Sequence, residues 1–211
     1  MPPDKLQLRL DFYNQSILMH VYHPHRSVKM VSGQDIAAAL ARELSFSTGL
    51  LPPNTIFWRN TNRGTVSAIY QEPRKRKIAL NSYNQPLVRY TLPLPGLIFL
   101  CLPGQSPWVY AVKRRPTKET DPVYRPPLSN VFDNGRSCPG SQKYPTNPLE
   151  IIDTFFISFF SHSEADGKST KYKNDVTRLW AELDGKDEFP NDDLIAHGNL
   201  KDLITMPMET Y

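Results

Sequence analysis

Residues 87–112 read LVRYTLPLPGLIFLCLPGQSPWVYAV, and this stretch decides the fold class. It contains three short runs of aliphatic and aromatic residues, 87–92, 97–102 and 108–112, which Pro and Gly separate from one another. β-Branched and aromatic side chains fit a pleated, half-buried surface, whereas Pro disrupts the interior of a helix. The stretch therefore predicts three consecutive strands.

Similar short runs lie upstream, at 55–59, 65–70 and 76–80. Six such runs, most of them separated by Asn, Gly or Pro, predict an antiparallel β-meander. Twelve of the 20 prolines fall between Pro86 and Pro148. Because long helices cannot pass through such a segment, the sequence excludes an all-helical bundle.

Helical patterns follow the strands. Asn147 is a suitable N-cap and Pro148 a suitable first helical residue. A broad apolar face then recurs at helical spacing and predicts a buried helix, with Ile151, Ile152, Phe155, Phe156, Phe159 and Phe160 in the core. Two more helices are predicted over 173–183 and 200–204. Strands followed by helices predict an α+β fold.

The first fifty residues form a separate predicted segment. Residues 6–31 alternate loosely between apolar and polar and predict two strands, with a turn near Asn14 and Gln15. Ser32 and Asp35 then predict the N-terminus of a helix whose apolar face reaches Leu44 and which Gly49 ends. We therefore expect a strand–strand–helix extension over residues 1–50 and a main domain over residues 51–211.

Composition excludes several classes of protein. The chain has 211 residues, 39% of them hydrophobic, and a net charge of +4, which is too small to indicate nucleic acid by itself. The longest apolar run is far below the roughly 20 residues that span a bilayer, and the N-terminus lacks an apolar signal core. The sequence therefore predicts a cytoplasmic protein without a membrane partner. It carries none of the common nucleotide, zinc-protease or serine-hydrolase motifs, so no cofactor and no metal are expected.

The candidate site lies in the long, proline-rich segment 114–148, since long loops inside a domain are often functional. Residues 130–138 read NVFDNGRSC, and the DNG triplet predicts a turn that brings Asn130 close to Cys138. Cys138 stands among polar and turn residues, so we expect an accessible thiol that could act as a nucleophile. The Asn130 amide is a candidate donor to an oxyanion. Spacing alone leaves open that Cys138 is an ordinary loop cysteine.

These residues resemble a known family. Ubiquitin-conjugating enzymes carry an Asn eight positions before the catalytic Cys and a Gly three positions before it, and Asn130, Gly135 and Cys138 have that spacing. The closer resemblance is to a bacterial branch, PRTRC system protein B. It rests on LPPNT (51–55), LPLPGLIF (92–99), FFIS (155–158) and LWAEL (179–183), and extends from about Leu51 to Ile204.

The resemblance implies a conjugating transferase. A ThiF-like activating enzyme would adenylate a ubiquitin-like modifier, Cys138 would accept the modifier as a thioester, and an amine acceptor would receive it. Asn130 would assist at the oxyanion or brace the loop. The chain departs from the family pattern where Leu128 and Ser129 replace His and Pro, Ser137 replaces an aliphatic residue and Pro139 replaces Leu.

Two alternatives stay open. One is a non-catalytic binding module of the same fold, which would recognise the modifier or the activating enzyme. The other is a plasmid-associated nucleic-acid-binding protein, suggested by the basic run 74–77, RKRK. The default interpretation of that run is a solvated hairpin edge, with docking of an acidic partner as a further alternative.

The remaining candidates have structural explanations. Cys101, inside an apolar run, is expected in the core. The cluster His20, His23 and His25 is expected to form a surface turn instead of a metal site. Three tryptophans are expected to be packing residues: Trp58, Trp108 and Trp180.

Overall fold

The computed structural model describes residues 8–14, 16–22, 24–43, 50–61 and 63–208. The chain forms two compact units, Met1–Leu50 and Leu51–Tyr211. Both strands and helices occur, and nearly all strand pairs are antiparallel. The predicted α+β class is therefore confirmed. None of the helices in the described part of the chain is long and apolar enough to cross a membrane.

The first unit contains three strands and one helix: β1 (Leu8–Phe12), β2 (Ile17–Val21), β3 (Ser27–Val31) and α1 (Gly33–Glu43). The strands form one antiparallel sheet in the order β1-β2-β3. The prediction of two strands was wrong: a third strand, β3, is as long as β1 and β2, and its apolar residues Val28 and Met30 are exposed instead of buried.

The predicted cap of α1 is present. The Asp35 backbone N–H donates to Ser32 Oγ at 3.0 Å, and Ser32 Oγ donates to the Asp35 carboxylate at 2.7 Å. The other predicted positions in this segment, Leu6, Gln15, His23, Leu44 and Gly49, lie outside the described residues.

The second unit carries the remaining elements. They are β4 (Thr55–Thr61), β5 (Gly64–Gln71), β6 (Arg74–Leu80), β7 (Val88–Leu94), β8 (Gly96–Cys101), β9 (Trp108–Val112), β10 (Pro122–Tyr124), α2 (Pro148–Ile157), β11 (Phe159–Phe160), α3 (Thr177–Leu183), β12 (Ala196–Asn199) and α4 (Leu200–Thr205). All six predicted meander strands are present. They belong to two sheets, one in the order β12-β10-β9-β8-β5-β4 and one in the order β11-β6-β7.

The larger sheet is covered on both faces. Strand β8 is buried along its whole length, and its successive side chains enter two different apolar clusters. Phe99 packs with α2 and α3 on one face, whereas Leu100 packs with residues of α4 on the other. Burial on both faces explains why β8 reads as a continuous apolar run instead of an alternating one.

Helix α2 ends earlier than its sequence predicts. The Asn147 cap and Pro148 start are confirmed, but the helix stops at Ile157 and the next two phenylalanines form β11. Ser158 ends it: its backbone is extended, and its Oγ donates to the Phe155 carbonyl at 2.6 Å. The prediction that Phe159 belongs to the core was therefore wrong, since its side chain is 56% exposed.

Three smaller predictions also need correction. Helix α3 begins at Thr177, later than the predicted start at 173. The segment predicted to be irregular contains the short strand β10. Trp108 and Trp180 are buried as expected, but Trp58 is 38% exposed and so is not a core residue.

Candidate active site

Residues 130–138, here called the cysteine loop, form a tight reversal of the chain. The Phe132 N–H donates to the Arg136 carbonyl at 2.8 Å, and the Gly135 N–H donates to the Phe132 carbonyl at 2.9 Å. At the open end, the Cys138 N–H donates to the Asn130 carbonyl at 2.7 Å. The turn that the sequence predicts therefore brings the backbones of Asn130 and Cys138 into direct contact.

The tip of this loop requires glycine. Gly135 has a φ of +84°, and a Cβ at this position would lie 2.3 Å from the ring of Tyr110. The same ring carries the hydroxyl that donates to the Asn134 carbonyl at 2.6 Å. The Val109 N–H donates to the Gly135 carbonyl at 2.7 Å, which attaches the tip to β9. The loop tip and strand β9 therefore leave no room for a side chain at position 135.

Ser137, directly before the thiol, is held from several sides. It is fully buried, and both its N–H and its Oγ donate to the Pro107 carbonyl, at 2.9 and 2.7 Å. Its own carbonyl accepts a hydrogen bond from Ser106 Oγ at 2.9 Å. A hydroxyl therefore fits where the resemblance led us to expect an aliphatic side chain, because buried polar groups are tolerated when they are hydrogen-bonded.

Tyr144 is a neighbour of the Cys138 thiol that was not predicted from the sequence. Burial raises the pKa of Tyr144 to about 12; hydrogen bonding to Ser137 opposes that shift, and the nearby charge of Cys138 adds to it. Its phenol is therefore neutral at physiological pH. The available signal was an aromatic hydroxyl six positions after the cysteine, next to Pro145.

The two cysteines occupy opposite environments. Cys138 is exposed, whereas Cys101 is fully buried in the apolar core, as predicted. Burial raises the pKa of Cys101 to about 12, so it remains a thiol. Because the thiolate is the reactive form, Cys101 is unsuited to nucleophilic chemistry, and Cys138 is the thiol accessible to a partner.

Asn130 connects the cysteine loop to β11. Its Nδ2 donates to the Phe159 carbonyl at 3.1 Å, and its Oδ1 accepts hydrogen bonds from the N–H and the hydroxyl of Ser161, at 3.2 and 2.7 Å. Its backbone has a φ of +57°, and its N–H donates to the Ser163 carbonyl at 2.8 Å. These contacts brace the loop, and they use one of the two amide hydrogens of Asn130.

A small pocket adjoins the thiol. Its volume is about 120 Å³, and Cys138 and Asn130 both line it. The other walls come from the residues after the cysteine and from the end of α2, namely Pro139, Gly140, Ser141, Gln142, Phe155, Ser158, Phe159 and Phe160. The pocket is smaller than the roughly 300–1,000 Å³ that is typical of small-molecule sites.

Ion pairs hold the tip of the cysteine loop. The Asp133 carboxylate lies 2.8 Å from the Arg125 guanidinium and 3.4 Å from Lys168 Nζ. Lys168 is only 1% exposed, and burial lowers its pKa although Asp133 opposes that shift. This contact is not predictable from the sequence, because nothing in the sequence distinguishes a buried lysine from a solvated one.

The positions before Asn130 are occupied by core residues. Leu128 and Ser129 are both fully buried, and the Trp180 indole N–H donates to the Pro127 carbonyl at 2.9 Å. The Ser129 hydroxyl has no hydrogen-bond partner among the described residues. The two departures from the family pattern at Leu128 and Ser129 therefore lie inside the protein, whereas Pro139, after the thiol, is exposed.

No histidine is positioned at the thiol by the contacts of the described residues. The ring of His162 lies 3.6 Å from the Asp175 carboxylate and 3.4 Å from the hydroxyl of Thr177, at the start of α3. His20 lies 2.9 Å from the Asp11 carboxylate, in the first unit. His25 lies in the exposed bend expected there.

The basic run 74–77 lies at the edge of a hairpin, as the sequence predicts. It pairs with residues 91–94 of β7, whereas β11 pairs only with Ala79 and Leu80, further along β6. Lys75 forms an ion pair with Asp187 at 2.7 Å, Arg76 lies 4.4 Å from the ring centre of Phe156, and Arg74 hydrogen-bonds to Gln71. Three of its four cations are therefore engaged within the protein.

Comparison with known proteins identifies the family to which this chain belongs. A family model described as prokaryotic E2 family D, in which E2 denotes the ubiquitin-conjugating enzymes, matches residues 32–197. The match includes α1 and so begins before the point at which the sequence resemblance starts. No curated protein and no solved structure matches the chain. Since the model covers well over half of the sequence, the chain belongs to prokaryotic E2 family D, a family related to ubiquitin-conjugating enzymes.

Proposed function

We propose that this protein accepts a ubiquitin-like modifier as a thioester on Cys138 from a ThiF-like activating enzyme and passes it to an amine of an acceptor protein. The observation that carries the proposal is an exposed thiol, backbone-paired with Asn130 beside a small pocket, in a chain of an E2-like family. The four segments that resemble PRTRC system protein B support assignment to that branch. Residues 51–211 would form the conjugating domain and residues 1–50 its extension.

The proposed reaction has two acyl-transfer steps. In the first, the Cys138 thiolate attacks the thioester carbonyl of the modifier on the activating enzyme; a new S–C bond forms, the S–C bond to the activating enzyme breaks, and the cysteine of the activating enzyme leaves as a thiolate. In the second, an acceptor amine attacks the same carbonyl, an N–C bond forms, and the Cys138 thiolate leaves while solvent takes the amine proton. A thiol suits this sequence because the thioester remains reactive toward nitrogen.

The residues around Cys138 position the thiol and its acyl group. The buried, fully bonded Ser137 fixes the backbone directly before the sulfur. The second N–H of the Asn130 amide is the candidate donor to the oxyanion of each tetrahedral intermediate. The neutral phenol of Tyr144 adds a polar neighbour without a charge.

The experiment combines the chain with a ThiF-like enzyme, a ubiquitin-like protein from the same genome, and ATP. We expect a covalent adduct that a thiol reductant removes. Cys138→Ala should abolish it, and Cys138→Ser should give an adduct that resists the reductant, because an oxygen ester exchanges poorly with thiols. Cys101→Ala is the matched control and should keep the adduct. An adduct that persists in Cys138→Ala contradicts the assignment.

A binding module of the same fold is the second candidate. The observation that favours it is the engagement of the Asn130 amide with the Phe159 carbonyl, which suits bracing as well as catalysis. In that case the modifier or the activating enzyme would bind to Cys138→Ala as tightly as to the native chain. No thioester would then form with any combination of partners.

A further inference from the structure

The smaller sheet of the second unit, β11-β6-β7, has an inner face toward the core and an outer face. On β6, Arg76, Ile78 and Leu80 turn toward the core, since Ile78 and Leu80 are buried and Arg76 lies on Phe156. Successive strand residues point to opposite faces, so Lys77 and Ala79 turn outward. On this alternation Lys75 and Lys77 lie on the outer face, whereas Arg76 lies over the core; Arg74, at the start of the strand, is exposed.

Two neighbouring strands extend this outer face. Ala79 is in register with Arg89 on β7 and with Phe159 on β11. Arg89 is exposed, and the Phe159 ring is 56% exposed and also lines the Cys138 pocket. One continuous row, Phe159–Ala79–Arg89, thus runs from the candidate thiol across the sheet, with Lys77 beside it.

The same edge carries a further apolar residue. Ile157, the last residue of α2, is 78% exposed and lies two residues before Phe159. Ile157 thus adjoins Phe159 along the chain, and Phe159 begins the row that carries Arg89. Exposed apolar groups rimmed by charge are typical of a protein–protein contact, whereas isolated exposed apolar residues are not.

The charges around this surface favour a protein over a nucleic acid. Lys75, at the far end of the row of cations, is already paired with Asp187. The Asp184 carboxylate accepts a hydrogen bond from the Thr91 N–H at 2.7 Å, so acidic residues border β7. These carboxylates would repel a long phosphate backbone that crosses the surface. A compact protein with a few acidic groups would contact the cations without reaching the carboxylates.

We propose that this outer face, formed by Lys77, Ala79, Arg89, Ile157 and Phe159, docks the body of the modifier through an apolar spot flanked by carboxylates. The inference rests on the proposed function. The modifier is the favoured occupant because its terminus would be tethered to Cys138, which shares the pocket with Phe159. A tether gives a high local concentration, so that even a small patch becomes occupied.

The test compares two charge-reversal variants with equal changes in net charge. Lys77→Glu/Arg89→Glu alters the outer face, and Lys173→Glu/Lys201→Glu alters exposed lysines elsewhere. Each is assayed for transfer of the full modifier from the activating enzyme and for acylation by a small glycyl thioester, which has no body to dock. Equal thermal unfolding midpoints for the two variants confirm intact folding.

We expect the outer-face variant to slow transfer of the full modifier about tenfold, because interfacial charges govern the association rate, while the small thioester and the control variant react normally. Native transfer should also weaken with added salt. Unchanged transfer of the modifier overturns the docking surface but leaves the proposed function intact. Failure of the native chain to form any thioester overturns both. Binding of a single-stranded oligonucleotide that only the outer-face variant loses, with normal transfer, assigns the surface to nucleic acid instead.

Discussion

Substituting Gly135 with Ala tests whether the cysteine loop is held by the close fit of its tip against Tyr110. Two costs add at this position. The backbone has a φ of +84°, and a left-handed conformation costs an L-residue about 1–2 kcal/mol. The new Cβ would also lie 2.3 Å from the buried Tyr110 ring, and overpacking of this kind costs about 1–3 kcal/mol. The expected loss in the free energy of unfolding is therefore about 2–5 kcal/mol.

Gly104 provides a matched control in the same unit. It also has a positive φ, +74°, but a Cβ there would meet nothing within 4 Å. Gly104→Ala should therefore show the backbone cost alone, about 1–2 kcal/mol. Urea unfolding of the two variants, followed by circular dichroism, separates the steric part from the conformational part.

The two substitutions also differ in their expected effect on chemistry. Gly135 lies three residues before Cys138, so a displaced tip should slow acylation of the thiol by a small thioester even in fully folded protein. Gly104→Ala should react at the native rate. Equal losses of stability in the two variants, or normal acylation in Gly135→Ala, would show that contact with Tyr110 does not hold the loop.

Two further predictions concern Ser137 and His197. Ser137→Ala removes the buried hydroxyl bond to Pro107 and should cost about 1–2 kcal/mol and slow acylation of Cys138, whereas Thr120→Ala, which removes a hydroxyl at an exposed position in the same unit, should do neither. Burial, with a contribution from Arg125, lowers the pKa of His197 below its usual 6.5, so the folded chain binds fewer protons than the unfolded chain just below that pH. Stability should therefore fall as the pH drops below 6.5, and His197→Gln should reduce that slope in urea titrations at pH 5 and pH 7.

The sequence predicts most of the second unit because its strands have strong local signals. The runs around Phe99 and Tyr110 are apolar, and Pro or Gly separates them, which defines strands without tertiary information. Asn147 and Pro148 define the start of α2 in the same way. What the sequence does not predict is the pairing of β6 with β11, since a parallel contact between residues 79 and 159 leaves no periodic trace.

The candidate site is predictable only in part, for a related reason. The DNG turn and its effect on Asn130 and Cys138 are local, and the sequence shows them. The contacts of Ser137 with Ser106, and of Asp133 with Lys168, join distant segments through single hydrogen bonds or ion pairs. Such contacts depend on the completed fold, so residue types alone do not reveal them.

The position at which the helical pattern fails is also the position that builds the site. Apolar periodicity would continue α2 through Phe160, yet Ser158 ends the helix and places Phe159 in a strand. As a result the Phe159 carbonyl accepts the Asn130 amide, and its ring forms both a wall of the pocket and one end of the outer face. Sequences generally follow local preferences, and departures from them concentrate at functional sites. The early end of α2 therefore supports the proposed site at the junction of β11 and the cysteine loop.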